Sequence, residues 1–228
     1  MGKADGDKTV EVIVAVGGLV CAHAAQTIIK QTPFLILIGQ FPKFKLDNDK
    51  YCGGVNLDMS GQNIARHDFL VGHYGVAPDK VCLIWNSNSK MGKFEKKEWN
   101  RRKWRDEEIK TNSDAGIQTA FANAAMNCGG VVISGDPFFT SSMNVVVQEA
   151  NKAASSASKM KICYPFSVYA NATTGPLQKQ NSMIYGPDLE AAYRMLGRKA
   201  GAILDNKADP PDTGLDPCPT TGPIFVGG

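Results

Sequence analysis

Val10-Glu-Val-Ile-Val-Ala-Val16 runs directly into Gly17-Gly18, and the reading of this stretch decides the fold. Its β-branched residues describe a buried parallel strand, and the paired glycines describe a tight turn at the strand's end. Leu19 to Lys30 then has helical composition, and Phe34 to Gly39, directly behind Pro33, is a second buried strand. This β-α-β rhythm predicts parallel strands joined by helical crossovers.

The rhythm continues along the chain. A polar loop is expected through Tyr51-Cys52-Gly53-Gly54, a helix over Ser60 to Tyr74 and a strand over Lys80 to Trp85. The charged segment Ser89 to Arg105 fits a surface helix, Glu107 to Lys110 a short strand, and Asp114 to Met126 another helix. Val131-Val-Ile-Ser134 is a strand closed by Gly135-Asp136-Pro137, followed by one long helix from Ser141 to about Ser156 and a strand Lys161 to Tyr164. Met183 to Tyr185 is a short strand. Asp188 to Leu204 is an amphipathic helix with Leu189, Tyr193, Leu196, Ala200 and Leu204 at helical spacing. Ala208 to Gly222, rich in Pro, Gly, Asp and Thr, is expected to lack regular structure, with Pro223 to Val226 as a last strand. There is no internal repeat.

Composition bounds what such a chain does. With 228 residues, 43% of them hydrophobic and 21% charged, it buries a substantial core as one domain or two small lobes. The richest apolar stretch, Phe34 to Ile38, is far shorter than the roughly 18 to 20 residues of a membrane span, so no membrane insertion is expected. The start, Met-Gly-Lys-Ala-Asp-Gly-Asp-Lys, lacks the apolar core of a secretory signal. The expected location is therefore periplasmic if a signal has been removed and cytoplasmic otherwise. Six cysteines, Cys21, Cys52, Cys82, Cys128, Cys163 and Cys218, form no C-x-x-C pair and are expected as unpaired thiols. No metal or other cofactor is expected.

The net charge of +3 hides a local concentration: Lys90 to Arg105 holds eight basic and two acidic residues, so the rest of the chain is net negative. Phe94, Trp99 and Trp104 interleave with this run, as in some single-strand-binding surfaces. A solvated helix face with its tryptophans turned inward explains the pattern as simply, and no nucleic-acid partner is expected. His67 and His73 stand six apart, on different faces of a helix, and do not form a metal pair. Ser134 lies in Val-Ile-Ser-Gly-Asp and not in a nucleophile elbow, and Gly17-Gly18 lacks the further glycine of a dinucleotide fingerprint. No catalytic residues are assigned.

Ligands of open α/β sheets settle beyond the carboxyl ends of the strands. Gly17 and Gly18 occupy such an end, where backbone N–H groups can receive a carboxylate, or where a plain turn suffices. Ser134, Asp136 and Phe138 occupy another: Asp136 either accepts from a ligand amine or caps the next helix, and Phe138 is a pocket wall or core. Tyr185, closing its strand, offers a hydroxyl to a ligand or to a hinge carbonyl.

Three stretches together carry a family resemblance: Val12-Ile-Val-Ala-Val-Gly-Gly18, Val131-Val-Ile-Ser-Gly-Asp-Pro-Phe-Phe139 and Met183-Ile-Tyr-Gly-Pro-Asp-Leu-Glu-Ala-Ala-Tyr-Arg194. In order and spacing the chain from Val10 to Pro210 resembles the ABC-transporter substrate-binding family, whose members include receptors for tryptophan and other aromatic amino acids. The resemblance implies a periplasmic-binding-protein type I-like α/β fold of two Rossmann-like lobes with mostly parallel sheets. Family members carry a secretion signal and about two strand-helix units ahead of the strand matched by Val10 to Val16, so the first lobe is expected to be incomplete. Gln180-Asn181-Ser182 replaces the family's usual Gly-Gly-Leu.

The organisation expected is a disordered start over 1–9, a partial first lobe over 10–86, a second lobe over 87–180, and a hinge return, helix and tail over 181–228. The function expected is non-catalytic binding of a small carboxylate-bearing ligand, an aromatic or apolar amino acid or related acid, between two lobes. Gly18 would meet the carboxylate, Asp136 the amine, and Phe138 with Tyr185 the side chain. An ABC permease is the implied partner; the rival is a self-associating homo-oligomer or a cytosolic sensor.

Overall fold

A computed structural model describes residues 9–16, 18–39, 52–155, 159–171, 181–205, 215–220 and 223–225. In chain order its elements are β1 (Ile13–Val16), α1 (Gly18–Ile28), β2 (Phe34–Ile38), β3 (Cys52–Asn56), α2 (Met59–Gly72), β4 (Val81–Asn86) and α3 (Lys90–Asn100). There follow β5 (Arg105–Ile109), α4 (Asp114–Asn127), β6 (Gly130–Ile133), α5 (Pro137–Ser141), α6 (Met143–Ser155) and β7 (Lys161–Tyr164). The last are β8 (Ser182–Ile184), α7 (Leu189–Leu204), β9 (Leu215–Pro217) and β10 (Ile224–Phe225). They form two compact units, one of residues 1–58 and 187–219, the other of residues 59–186 and 220–228.

The first unit is a parallel sheet in the order β1-β2-β3-β9. β2 is buried along its whole length because helices cover both faces. Phe34, Ile36 and Ile38 pack with Ala22, Ala25 and Ile29 on the α1 side, while Leu35 and Leu37 pack with Ala192, Leu196 and Ile203 of α7. This two-sided burial is why the strand reads as an unbroken apolar run.

Three expectations change in this unit. Cys52–Asn56 is a strand and not a loop. Gly54 takes φ +149°, and a Cβ there would run into the backbone of Ile36, so close strand approach selects glycine where a strand signature would call for branched residues. Within the Pro/Gly/Asp-rich tail, Leu215–Pro217 pairs with β3, and Cys218 N donates to Asn56 O at 2.8 Å. On α7 the buried stripe is Ala192, Leu196, Lys199 and Ile203, leaving Tyr193 and Leu204 exposed at 51% and 46%. Lys199 tolerates this place because its ammonium reaches Asp216 at 2.9 Å.

The second unit holds the order β5-β4-β6-β7-β8, all parallel, with β10 antiparallel at the far edge. This is a doubly wound sheet whose order reverses between β4 and β6. Leu83, Trp85, Val132, Cys163 and Met183 face Leu70 of α2 and Trp99 of α3. The residues alternating with them face the side of α4 and α6. β4 pairs with β5 and β6, so it belongs to this sheet and not to the first lobe that was expected to run to residue 86. The helix expected over Ser141 to about Ser156 is α6, and the short α5 ahead of it was not expected; the two are separated at Ser142, whose φ −100° and ψ 23° leave the helical region. Trp99 lies inside and donates its indole N–H to Arg105 O at 2.7 Å, so its ring is withdrawn from the basic face.

No helix among the described residues is long and apolar enough to cross a membrane. The expectation of unpaired thiols is corrected: Cys82 of β4 is disulfide-bonded to Cys128, just after α4, with Cα atoms 6.1 Å apart. Sequence spacing did not reveal the pair because β4 and the end of α4 meet only through the fold. Denatured without reductant, the protein should therefore label at four of its six cysteines with a maleimide, and at all six after reduction. Intact-mass spectrometry reads the count; six additions without reductant would refute the bridge.

Candidate functional site

The carboxyl ends of β4 and β6 meet at the reversal of the second sheet. Asn86 closes β4, and the loop Ser134-Gly135-Asp136 follows β6. α3 starts against this edge: Ser89 caps it, accepting from Met91 N at 3.1 Å and Gly92 N at 3.2 Å. A Cβ on Gly92 would strike the Asn86 carbonyl oxygen, so glycine lets the helix lie close. Three residues on, this approach delivers Glu95 into the interior, where it is 1% exposed.

Glu95 organises the loop after β6. Its carboxylate accepts the Ser134 hydroxyl through Oε2 and the Gly135 N–H through both oxygens, at 3.2 and 3.3 Å. A side chain at Gly135 would collide with the Met59 methyl. Ser134 Oγ in turn accepts from Asp136 N at 3.3 Å. Ser134 is thus engaged on both its donor and acceptor sides, with a carboxylate and not a histidine as its partner.

Of the two roles that its sequence position suggested, Asp136 takes that of helix cap. Oδ1 caps α5, accepting from Phe138 N at 2.9 Å, and accepts from Asn86 Nδ2 at 3.3 Å. Oδ2 is buried and has no hydrogen-bond partner among the described residues. Of the two neighbouring phenylalanines, Phe139 is fully buried and Phe138 half-buried, their rings 5.6 Å apart.

A second buried charge closes the same edge. Arg66 of α2, wholly buried, donates through Nε to Tyr185 O at 2.6 Å, through Nη2 to Pro165 O at 3.3 Å, and through Nη1 to Asn63 Oδ1. It ties α2 to the chain leaving β7 and β8. Gly186 is required here, since its Cβ would overlap the Pro165 carbonyl. Tyr185 is held by this backbone contact and by its ring against Phe69, centroids 4.9 Å apart.

The structure therefore brings Ser134, Asp136 and Phe138 together and sets Tyr185 at the end of β8, two strands along the sheet. Gly18 opens α1 in the first unit, where first-turn N–H groups lack intrahelical partners; Gly17 lies outside the described residues. Asn63, Arg66, Asn86 and Glu95 were not anticipated. Only Glu95 left a trace in the sequence, as the middle of the buried stripe Gly92, Glu95, Trp99 in a helix otherwise rich in lysine. No cluster of three or more metal-ligating side chains occurs among the described residues.

No family model matches the chain, and no curated protein matches it. Solved structures do. A conserved domain protein from Vibrio cholerae superposes with a TM-score of 0.71 at 14% identity, covering 94% of this chain and 70% of that one. An ABC domain from Streptococcus pneumonia in complex with L-Trp gives 0.70 at 15%, covering 93% and 70%. A periplasmic binding protein/LacI transcriptional regulator from Alkaliphilus metalliredigens complexed with D-xylulofuranose gives 0.58 at 13%, covering 95% and 78%. At such identities the likeness defines the fold: two mostly parallel α/β sheets of the periplasmic-binding-protein type I-like class.

Burial pushes the Glu95 carboxyl up to about 7, against the opposing pull of the Ser134 hydrogen bond and of Arg66. The folded protein therefore holds a proton there that the unfolded chain, with an ordinary value of 4.5, releases. Stability from this group is full below that ordinary value and declines as pH rises toward about 7. Urea melts between pH 4.5 and 8 should show this decline in the parent, and Glu95→Gln should lose it. A variant whose pH profile parallels the parent's would assign the titration to another group.

Proposed function

We propose that this chain binds, without covalent chemistry, a small molecule that bears an ammonium group, and that it serves as an ABC-transporter substrate-binding protein for an aromatic or apolar amino acid or related acid. The observation that carries the reading is Asp136 Oδ2, a buried oxygen without a partner at the reversal of a doubly wound sheet. A buried carboxylate oxygen is costly unless paired, and a ligand ammonium is its natural complement. Phe138, half-buried beside it, supplies apolar wall. Support also comes from the structural neighbours, which include proteins holding L-Trp and D-xylulofuranose. The engagement of Ser134 by Glu95 favours binding over nucleophilic catalysis. The Cys82–Cys128 disulfide favours an oxidising compartment, hence the periplasm, with a permease as the partner that receives the ligand.

A second reading, self-association, is favoured by β1. Among the described residues it pairs only with β2, and Val14 and Val16 are 44% and 40% exposed. Two measurements separate the readings.

A thermal-shift screen of L-tryptophan and other amino acids should raise the melting temperature, since a ligand of the folded state alone stabilises it. In calorimetry, Asp136→Asn should weaken binding about 10- to 100-fold, as expected for loss of a charge-assisted bond of about 1.5 to 3 kcal/mol. Its urea stability at acid pH, where Glu95 is protonated, should change little, because Asn caps about as well as Asp. No response from folded protein would overturn the receptor reading. Light scattering of the unliganded protein should show a dimer or larger if β1 is a self-association edge; a monomer at high concentration would dismiss that reading.

A further inference from the structure

We propose that Glu95 is a positioning residue whose charge is coupled, through the Ser134-Gly135-Asp136 loop, to the charge of the ligand at Asp136, so that binding an ammonium ligand expels a proton from Glu95. The inference rests on the reading of Asp136 as the seat of a cation. Its geometric basis is that Glu95 grips the two residues immediately before Asp136, receiving the Ser134 hydroxyl and the Gly135 N–H. Ser134 Oγ passes the link on by accepting from Asp136 N. The orientation of the free Asp136 oxygen thus depends on a carboxylate belonging to a different element, α3.

The charged groups bearing on Glu95 are few. α2 contributes Arg66, which favours the ionised form, and the loop after β6 contributes Asp136, which opposes it. Asn63 of α2 is a neutral neighbour, and Ser134 is a neutral donor. β4 presents the neutral Asn86 at this edge, and on α3 itself Lys96 is turned to Asp106. Among the described residues, Asp136 is therefore the carboxylate whose neutralisation would relieve Glu95. A ligand ammonium on Oδ2 cancels that repulsion and draws Glu95 toward its ionised form, and the proton passes to the solvent. Because burial leaves the unliganded group titrating at about 7, release falls within the neutral range. By linkage, whatever favours ionisation of Glu95 also favours the ligand. Ionised Glu95 accepts more strongly from Ser134 and Gly135, so the proton and the loop geometry move together.

L-tryptophan keeps its ammonium and its carboxylate charged through pH 5.5 to 8.5 and is the probe of choice. Calorimetry in two buffers of different ionisation enthalpy should show its affinity rising on the order of tenfold across that range, with proton release on binding at the lower end. Glu95→Gln should bind at every pH about as weakly as the parent does at pH 5.5. Indole-3-propionate, which keeps the carboxylate and lacks the ammonium, should show no such rise. A flat parent profile, or a rise that survives in Glu95→Gln, overturns the coupling. A companion measurement needs no ligand: Asp136→Asn should move the Glu95 transition in urea stability to lower pH. If that transition stays in place, the coupling fails whatever binds. If it moves and L-tryptophan does not bind, the electrostatic link stands, while the role of Asp136 as a cation seat, and with it the ligand-driven proton release, is overturned.

Discussion

The carboxyl edge of the second sheet is organised by two ionisable side chains of opposite type, Arg66 and Glu95, that are both out of water and not directly paired. Arg66 spends its donors on the carbonyls of Pro165 and Tyr185 and on Asn63; Glu95 receives Ser134 and Gly135. Burying either charge alone would be prohibitive, and removing one partner of such a network typically costs about 3 to 5 kcal/mol. What makes the arrangement tolerable is its place. Strands that end leave backbone N–H and carbonyl groups without ladder partners, and these two side chains satisfy them. Helix α2 is thereby fixed to the exits of β7 and β8, and α3 to the exit of β6.

Close approach is the second constraint, and it follows from the first. A carboxylate on a short side chain reaches the loop after β6 only if α3 lies almost against Asn86, which Gly92 allows. The loop itself must pass beneath Met59, which Gly135 allows, and the chain leaving β8 must pass the Pro165 carbonyl, which Gly186 allows. Three glycines in three different elements serve one polar network. Alanine at Gly92 or Gly186 would meet backbone and force the network apart, whereas at Gly135 it would collide only with the end of the Met59 side chain, which can turn aside.

These constraints also explain what could be read in the sequence. Strands covered on both faces advertise themselves, and Phe34–Ile38, Val81–Asn86, Gly130–Ile133 and Lys161–Tyr164 lie where apolar runs pointed. β3 was hidden because its neighbour's backbone demanded glycine at Gly54. β9 was hidden because three residues paired on one edge need no signature of their own. The burial stripe of α7 was misread because Lys199 sits inside and Tyr193 outside, a choice made by Asp216 and not by hydrophobicity. At the site, Asp136 and Phe138 were legible from their place beyond a strand. Arg66 and Glu95 were not, since a charge in a polar or basic helix looks like solvated surface until the fold brings in the Pro165 carbonyl from 99 positions away and Ser134 from 39 positions away.

The chemistry of Asp136 is the strongest internal argument that the edge serves a ligand. Capping α5 and receiving the Asn86 amide require one oxygen, and both bonds go to Oδ1. Asparagine would supply that oxygen with no charge, and its amide would not repel Glu95. The second oxygen therefore gives the fold nothing that the first does not already give, while it raises the energy of the neighbouring carboxylate. Local rules broken without a structural gain are where function is to be sought. Here the broken rule is a buried carboxylate oxygen without a partner beyond the end of a strand, and the proposed ligand ammonium is the group that would mend it.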